Sequence, residues 1–209
     1  MTNQSLKFIN FAQNKLKDEG FLDFVALLKV NTTIEEVSFG GNIISNDGLS
    51  NLAQFLPHNK TLRHLDLSRN QFNDSGFDTF AEQLAFNEGL TFLDIAKNKE
   101  VTDEGSLLVL CDALTQNKKL KTIDVTGLTL RKPFLKQNFD QALKRNITLQ
   151  EVIGKIPANI IQAELDLNIM IEKEIMPLYQ PQVIAGKNMF NLALVEPNHE
   201  NHNRLNLRE

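Results

Sequence analysis

One cysteine, no tryptophan and one tyrosine occur among the 209 residues. The lone thiol, Cys111, excludes an internal disulfide framework and fits a reducing compartment. A basic excess is lacking too: 22 Lys and Arg stand against 26 Asp and Glu, for a net charge of −4. That balance excludes a general nucleic-acid binder, whose surface must offset phosphate charge. No apolar run approaches the ~18 residues needed to cross a bilayer. The opening residues, MTNQSLKFINFAQNK, have no basic start, apolar middle and small-residue cleavage site, so no secretory leader is expected. A soluble chain made in a cytosol is the expectation. What is present is 42% apolar residues, enough for a continuous core in one domain or two small ones.

Those apolar residues recur. Leu62, Leu65, Leu67 and Asn70 form L-x-x-L-x-L-x-x-N, and Leu90, Leu93, Ile95 and Asn98 repeat it 28 residues later. Counting back by the same step gives Ile34, Val37, Phe39 and Asn42, then Leu6, Ile9, Phe11 and Asn14. Leu120, Ile123 and Val125 continue the series, with Leu128 in place of Asn; Leu149 and Val152 begin a decaying sixth copy. The first positions, 6, 34, 62, 90, 120 and 149, are spaced 28, 28, 28, 30 and 29. An Asn at the fourth place is expected to turn inward and satisfy backbone groups where each strand ends. Leu128 therefore predicts an altered turn.

The second half of each unit recurs as well. Asp18-Glu19-Gly20, Asn46-Asp47-Gly48, Asp74-Ser75-Gly76 and Asp103-Glu104-Gly105 open helices, their first residues being expected to cap the first turn. Apolar pairs then fall four apart on one helix face: Phe24 and Leu28, Leu52 and Leu56, Phe80 and Leu84, Leu110 and Leu114, Phe139 and Leu143. Pro133 fits the first turn of the fifth helix. Asn31, Asn59, Asn87, Asn117 and Asn146 follow each pair by three residues, and the next strand begins three residues later. Each unit can bury its apolar side chains only against its neighbours. An α/β solenoid of about six strand–helix repeats is predicted, an arc with a parallel sheet inside and helices outside, its concave face roughly 24 Å long.

The 28- to 29-residue unit, with L-x-x-L-x-L-x-x-N followed by D-x-G and a full helix, resembles the ribonuclease-inhibitor-type leucine-rich repeat over residues 5 to about 168. Proteins built this way include ribonuclease inhibitor, innate-immune receptors, the activating protein of the Ran GTPase, the actin-capping tropomodulins, and effectors that intracellular bacteria inject into host cells. High Asn and Lys content and the lack of Trp match a low-GC bacterial genome.

Three regions are expected: a repeat solenoid over 1–157, a C-terminal cap helix over 158–180, and an apolar segment with a polar tail over 181–209. Residues 182–195, QVIAGKNMFNLALV, either fold back along the last helix or dock a partner. The polar tail 196–209, with Glu196, Glu200 and Leu207, resembles the C-terminal signals of type IV secreted effectors. That resemblance implies translocation into a host cell.

Strand alternation turns the residues between the anchors toward the concave face. One column reads Asn10, Ser38, Asp66, Asp94, Asp124, Ile153; beside it run Phe8, Glu36, His64, Phe92, Thr122, Glu151. On the other side lie Ala12, Gly40, Ser68, Ala96, Thr126, Lys155, then Gln13, Gly41, Arg69, Lys97, Gly127, Ile156. The Asp column is either ordinary repeat sequence or an acidic stripe for a basic or mixed partner. Glu36, His64, Asp66, Arg69, Phe92, Asp94, Lys97 and Asp124 are the candidate contacts. No catalytic, cofactor or metal site is expected. His199-x-x-His202 lacks zinc spacing, Cys111 falls in a small core column, and Gly40-Gly41 lacks the Lys of a phosphate loop. The function read from this surface is non-enzymatic protein binding by a monomer. A GTPase activator like the Ran-activating protein and an actin-capping module like tropomodulin are the alternatives.

Overall fold

The computed structural model describes residues 3–128 and 133–154. Six three-residue strands alternate with five helices: β1 (Phe8–Asn10), α1 (Asp18–Leu28), β2 (Glu36–Ser38), α2 (Asn46–Phe55), β3 (His64–Asp66), α3 (Asp74–Leu84), β4 (Phe92–Asp94), α4 (Glu104–Gln116), β5 (Thr122–Asp124), α5 (Pro133–Arg145) and β6 (Glu151–Ile153). The strands form one parallel sheet in chain order. Ile9, Val37, Leu65, Leu93, Ile123 and Val152 stand side by side across it. This is the solenoid that the repeat requires. The expected cap helix over 158–180 and the segment 181–209 lie outside the described residues, as do Lys155 and Ile156.

The core is the layer between sheet and helices. Every expected helix pair is buried in it, from Phe24 and Leu28 to Phe139 and Leu143. Pro57 shortens α2: Leu56–His58 form a 3-10 turn, which still buries Leu56. Cys111 is buried in the same layer, and burial pushes its thiol up to about 12, as befits a packed core residue.

Two asparagine ladders hold the coils together. On the side where strands end, Asn70 Nδ2 donates to the carbonyls of Leu67 and Phe39, both at 3.1 Å, while its Oδ1 accepts from Ile44 N–H. Asn42 and Asn98 repeat the arrangement. At Leu128 the ladder stops, and Leu128 N–H closes a tight turn onto Val125 O at 3.0 Å, with Gly127 at φ 97°. The altered turn is there. The second ladder, where helices end, is Asn31, Asn59, Asn87, Asn117 and Asn146, all buried. Each accepts from the two N–H groups that lead into the next strand, as Asn117 does from Lys119 and Leu120. The last three also donate back to two carbonyls of the preceding coil.

The expected helix caps are corrected at three of four places. Ser45 and Asn73, one residue earlier, cap α2 and α3, and no side chain caps α1. Only Asp103 caps as expected, accepting from Gly105 N–H at 2.8 Å. Asp18, Asn46 and Asp74 reach forward instead, accepting from the backbone of Ser45, Asn73 and Thr102–Asp103 in the following coil. Position in the repeat identifies such residues; the partner depends on which coil lies nearest their oxygen.

Candidate functional site

Register places the candidate residues on adjacent strands. Glu36, His64, Phe92 and Thr122 pair in one row, and Ser38, Asp66, Asp94 and Asp124 in the next. Spacing between neighbouring strands is ~4.8 Å, so each row is a line of touching side chains. His64 and Phe92 stack, ring centroids 3.9 Å apart and planes 16° from parallel. Glu36 stands exposed at one side of this aromatic plate, while the plate and the three aspartates are half-buried.

The two readings of the aspartates meet in one side chain. One carboxylate oxygen of each does a structural job, accepting from the N–H two residues on: Ser68 at 2.9 Å, Ala96 at 2.8 Å and Thr126 at 2.8 Å. Asn10 makes the same bond to Ala12 in the first coil, so the turn needs an acceptor and not a charge. Asp66 Oδ2 also accepts from Ser38 Oγ at 2.5 Å. Gly40 makes room for that carboxylate, since a Cβ there would sit 2.6 Å from Asp66 Oδ2. The column expected as a third open row is therefore partly closed: Gly40 and Ala96 are buried beneath the aspartates.

Burial pushes the Asp94 carboxyl up to about 6; the charges of Asp66 and Asp124 add to the shift, while Ala96 N–H and Lys97 oppose it. A carboxyl raised above its unfolded value loses stabilising power as pH climbs through the folded value. Asp94→Asn keeps the acceptor for Ala96 and removes the charge. Its melting temperature should equal that of the wild type near pH 4 and exceed it by about 2–4 °C at pH 7, corresponding to ~1 kcal/mol after solvent screening. Circular-dichroism melts across that range check this; a constant offset would contradict it.

Arg69 and Lys97 stand exposed at the far edge, with left-handed backbones at φ 54° and 59°. Gln13, Gly41 and Gly127 share that conformation at the equivalent places. The two glycines in this column were the signal for it, because glycine alone adopts such angles without a steric penalty. Each cation is thus fixed to a turn that projects beside the acidic row. All eight candidate residues accordingly share one face: an aromatic plate, an acidic row and a cationic edge. Among the described residues, no group of His, Cys, Asp and Glu could hold a metal ion, and no helix is long and apolar enough to cross a membrane.

A family model described as a leucine-rich repeat matches residues 2–23, 30–53 and 58–81. No curated protein matches the sequence significantly. Among solved structures, actin-binding site 2 of leiomodin-1 is similar, with a TM-score of 0.54 and 16% identity over 85% of this chain and 88% of that one. The tropomodulin C-terminal domain of Caenorhabditis elegans is similar at 0.59 and 16% identity, over 69% of this chain and 86% of that one. At such identity the likeness is one of fold.

Proposed function

We propose that this leucine-rich-repeat solenoid is a non-enzymatic module that binds a protein partner on its concave face. The observation that carries the reading is the single surface formed by the stacked His64 and Phe92, the row Asp66, Asp94 and Asp124, and the edge of Arg69 and Lys97. Shallow, mixed in charge and centred on aromatic rings, it suits a protein surface, where buried aromatic and Arg anchors dominate affinity.

Fold-preserving variants test it. A charge reversal such as Asp94→Lys is a poor probe, since it removes the acceptor for Ala96 N–H. Asp94→Asn with Asp124→Asn keeps both turns, and Arg69→Gly with Lys97→Gly relaxes two left-handed residues. Proteins captured from a eukaryotic lysate by the wild type should be lost with both pairs, while the melting temperatures stay within a few degrees. Equal capture by all three proteins would sink the concave reading.

The structural likeness to leiomodin-1 and tropomodulin domains favours actin as the second reading. Slowed elongation of pyrene-labelled actin filaments by the wild type, restored by the Asp94→Asn, Asp124→Asn pair, would support it. The ribonuclease-inhibitor-like subtype rests on the repeat length and full helices. The role of effector in a host cell rests on the composition and on residues 196–209; a reporter fusion that is translocated only with that tail attached would support it.

A further inference from the structure

The first coil presents an apolar end. Leu6 is 44% exposed, whereas its equivalents Ile34, Leu62, Leu90, Leu120 and Leu149 are at most 3% exposed. The face of α4 toward α3 is walled by Val109, Asp112, Ala113 and Gln116. Counted from each helix start, the same positions around α1 are Asp23, Ala26, Leu27 and Val30. No helix stands opposite them among the described residues, and Leu27 and Val30 are 43% and 66% exposed. Phe8, on the edge strand, is 55% exposed. Leu6, Phe8, Leu27 and Val30 together leave on the order of 400 Å² of apolar side chain in water along this end, Phe8 on the concave side of the edge strand and Leu27 and Val30 on the helix side. With the surrounding backbone and helix face, the end approaches the ~800 Å² per partner of a stable interface.

From this end we infer that the chain pairs with a second copy of itself, first coil to first coil, about a two-fold axis. The β1 backbone is arranged for it. Lys7 C=O and Phe11 N–H are bonded to β2, so by alternation the main-chain groups of Phe8 and Asn10 point away from the sheet. A two-fold at Ile9 sets Phe8 opposite Asn10 of the other copy, an antiparallel pair that exchanges both hydrogen bonds, twice over. The sheet then continues through the interface, as it does between coils. A partner supplying only a strand would leave Leu27 and Val30 wet, and one supplying only a helix would leave Phe8 wet; a second copy brings both at the right separation. Charge agrees. Antiparallel placement turns the first half of α1, with Glu19 and Asp23, toward the second half of the other α1, which carries no acid and is followed by Lys29. The pairing closes on itself, so it ends at two copies. It replaces the monomer expected from sequence.

Sedimentation of the full chain across the micromolar range tests this. The wild type should approach twice the 23.7 kDa chain mass, and Phe8→Glu with Val30→Glu should sediment as one chain. Phe86→Glu, at a comparably exposed phenylalanine (61%) near the end of α3, should pair like the wild type. Circular dichroism confirms that each variant is folded. A wild type of single-chain mass throughout, a dimer indifferent to the Phe8 and Val30 changes, or one abolished by Phe86→Glu overturns the inference.

Discussion

Asn117→Ala should lower the unfolding free energy by roughly 3–5 kcal/mol, since buried polar groups left without a partner cost about 1–3 kcal/mol each. Asn117 is fully buried. Its Nδ2 donates to Leu84 O at 2.7 Å and Asn87 O at 3.2 Å, and its Oδ1 accepts from Lys119 at 2.9 Å and Leu120 at 2.8 Å. Asn87 O and the N–H groups of Lys119 and Leu120 therefore lose this partner at once, and Leu84 O keeps only Asn87 N–H at 3.2 Å. Asn117→Asp sharpens the test, because it keeps the shape. An aspartate can still accept from Lys119 and Leu120, but it turns lone pairs on the two carbonyls that Nδ2 served. Facing carbonyl oxygens and buried, its carboxyl should titrate above its unfolded value, so the variant is least damaged while protonated and loses stability as pH rises. Urea unfolding of the variant and the wild type at pH 4 and pH 7 reads this as a deficit that is larger at pH 7. The comparison at each pH cancels the wild type's own titration at Asp94. An equal deficit at both values would mean that the amide does not bridge the coils.

Much of this architecture was legible because the repeat is a translation. A residue that recurs every 28 positions must meet its own equivalent in the next coil, so the line Leu65, Leu93 and Ile123 followed from counting. So did the buried helix pairs, the start of α5 at Pro133 and the disturbed turn at Leu128. Counting identifies columns but not the atoms they reach. The helix-end asparagines were visible as a column, yet nothing in their spacing says that Nδ2 turns backward and Oδ1 forward. Asp18, Asn46 and Asp74 were assigned to their own helix when the nearer N–H groups belong to the next coil. At the concave face, the residues were placed correctly as neighbours. The stacking of His64 on Phe92 and the division of Asp94 between a turn and open solvent depend on side-chain rotation, which a single sequence does not encode in its period.

Phe39→Ala should divide the molecule. Phe39 is fully buried. Its ring meets Phe11 at 5.6 Å in a stacked pair, and Phe21 and Phe24 edge-on at 4.8 and 5.2 Å. All three partners belong to the first coil, which has a neighbour on one side only among the described residues. Truncating a buried phenylalanine costs about 3–5 kcal/mol, and aromatic pairs contribute roughly 0.5–1.5 kcal/mol beyond their area. In a solenoid, stability is a sum of coil and interface terms. A loss of this size at the first interface should therefore exceed what holds coil one in place, while the coils beyond Leu62 keep their own contacts. Below the concentration at which two copies pair, native-state hydrogen exchange should show residues 8–28 losing protection at low denaturant, with residues 90–125 protected much as in the wild type. Leu93→Ala is the contrast. It removes a fully buried side chain at β4, with coils on both sides, so its penalty of about 3–4 kcal/mol should weaken both flanking interfaces and lower the main transition. If Phe39→Ala instead lowered protection evenly along the chain, the coils would be too tightly coupled for the first to part from the rest.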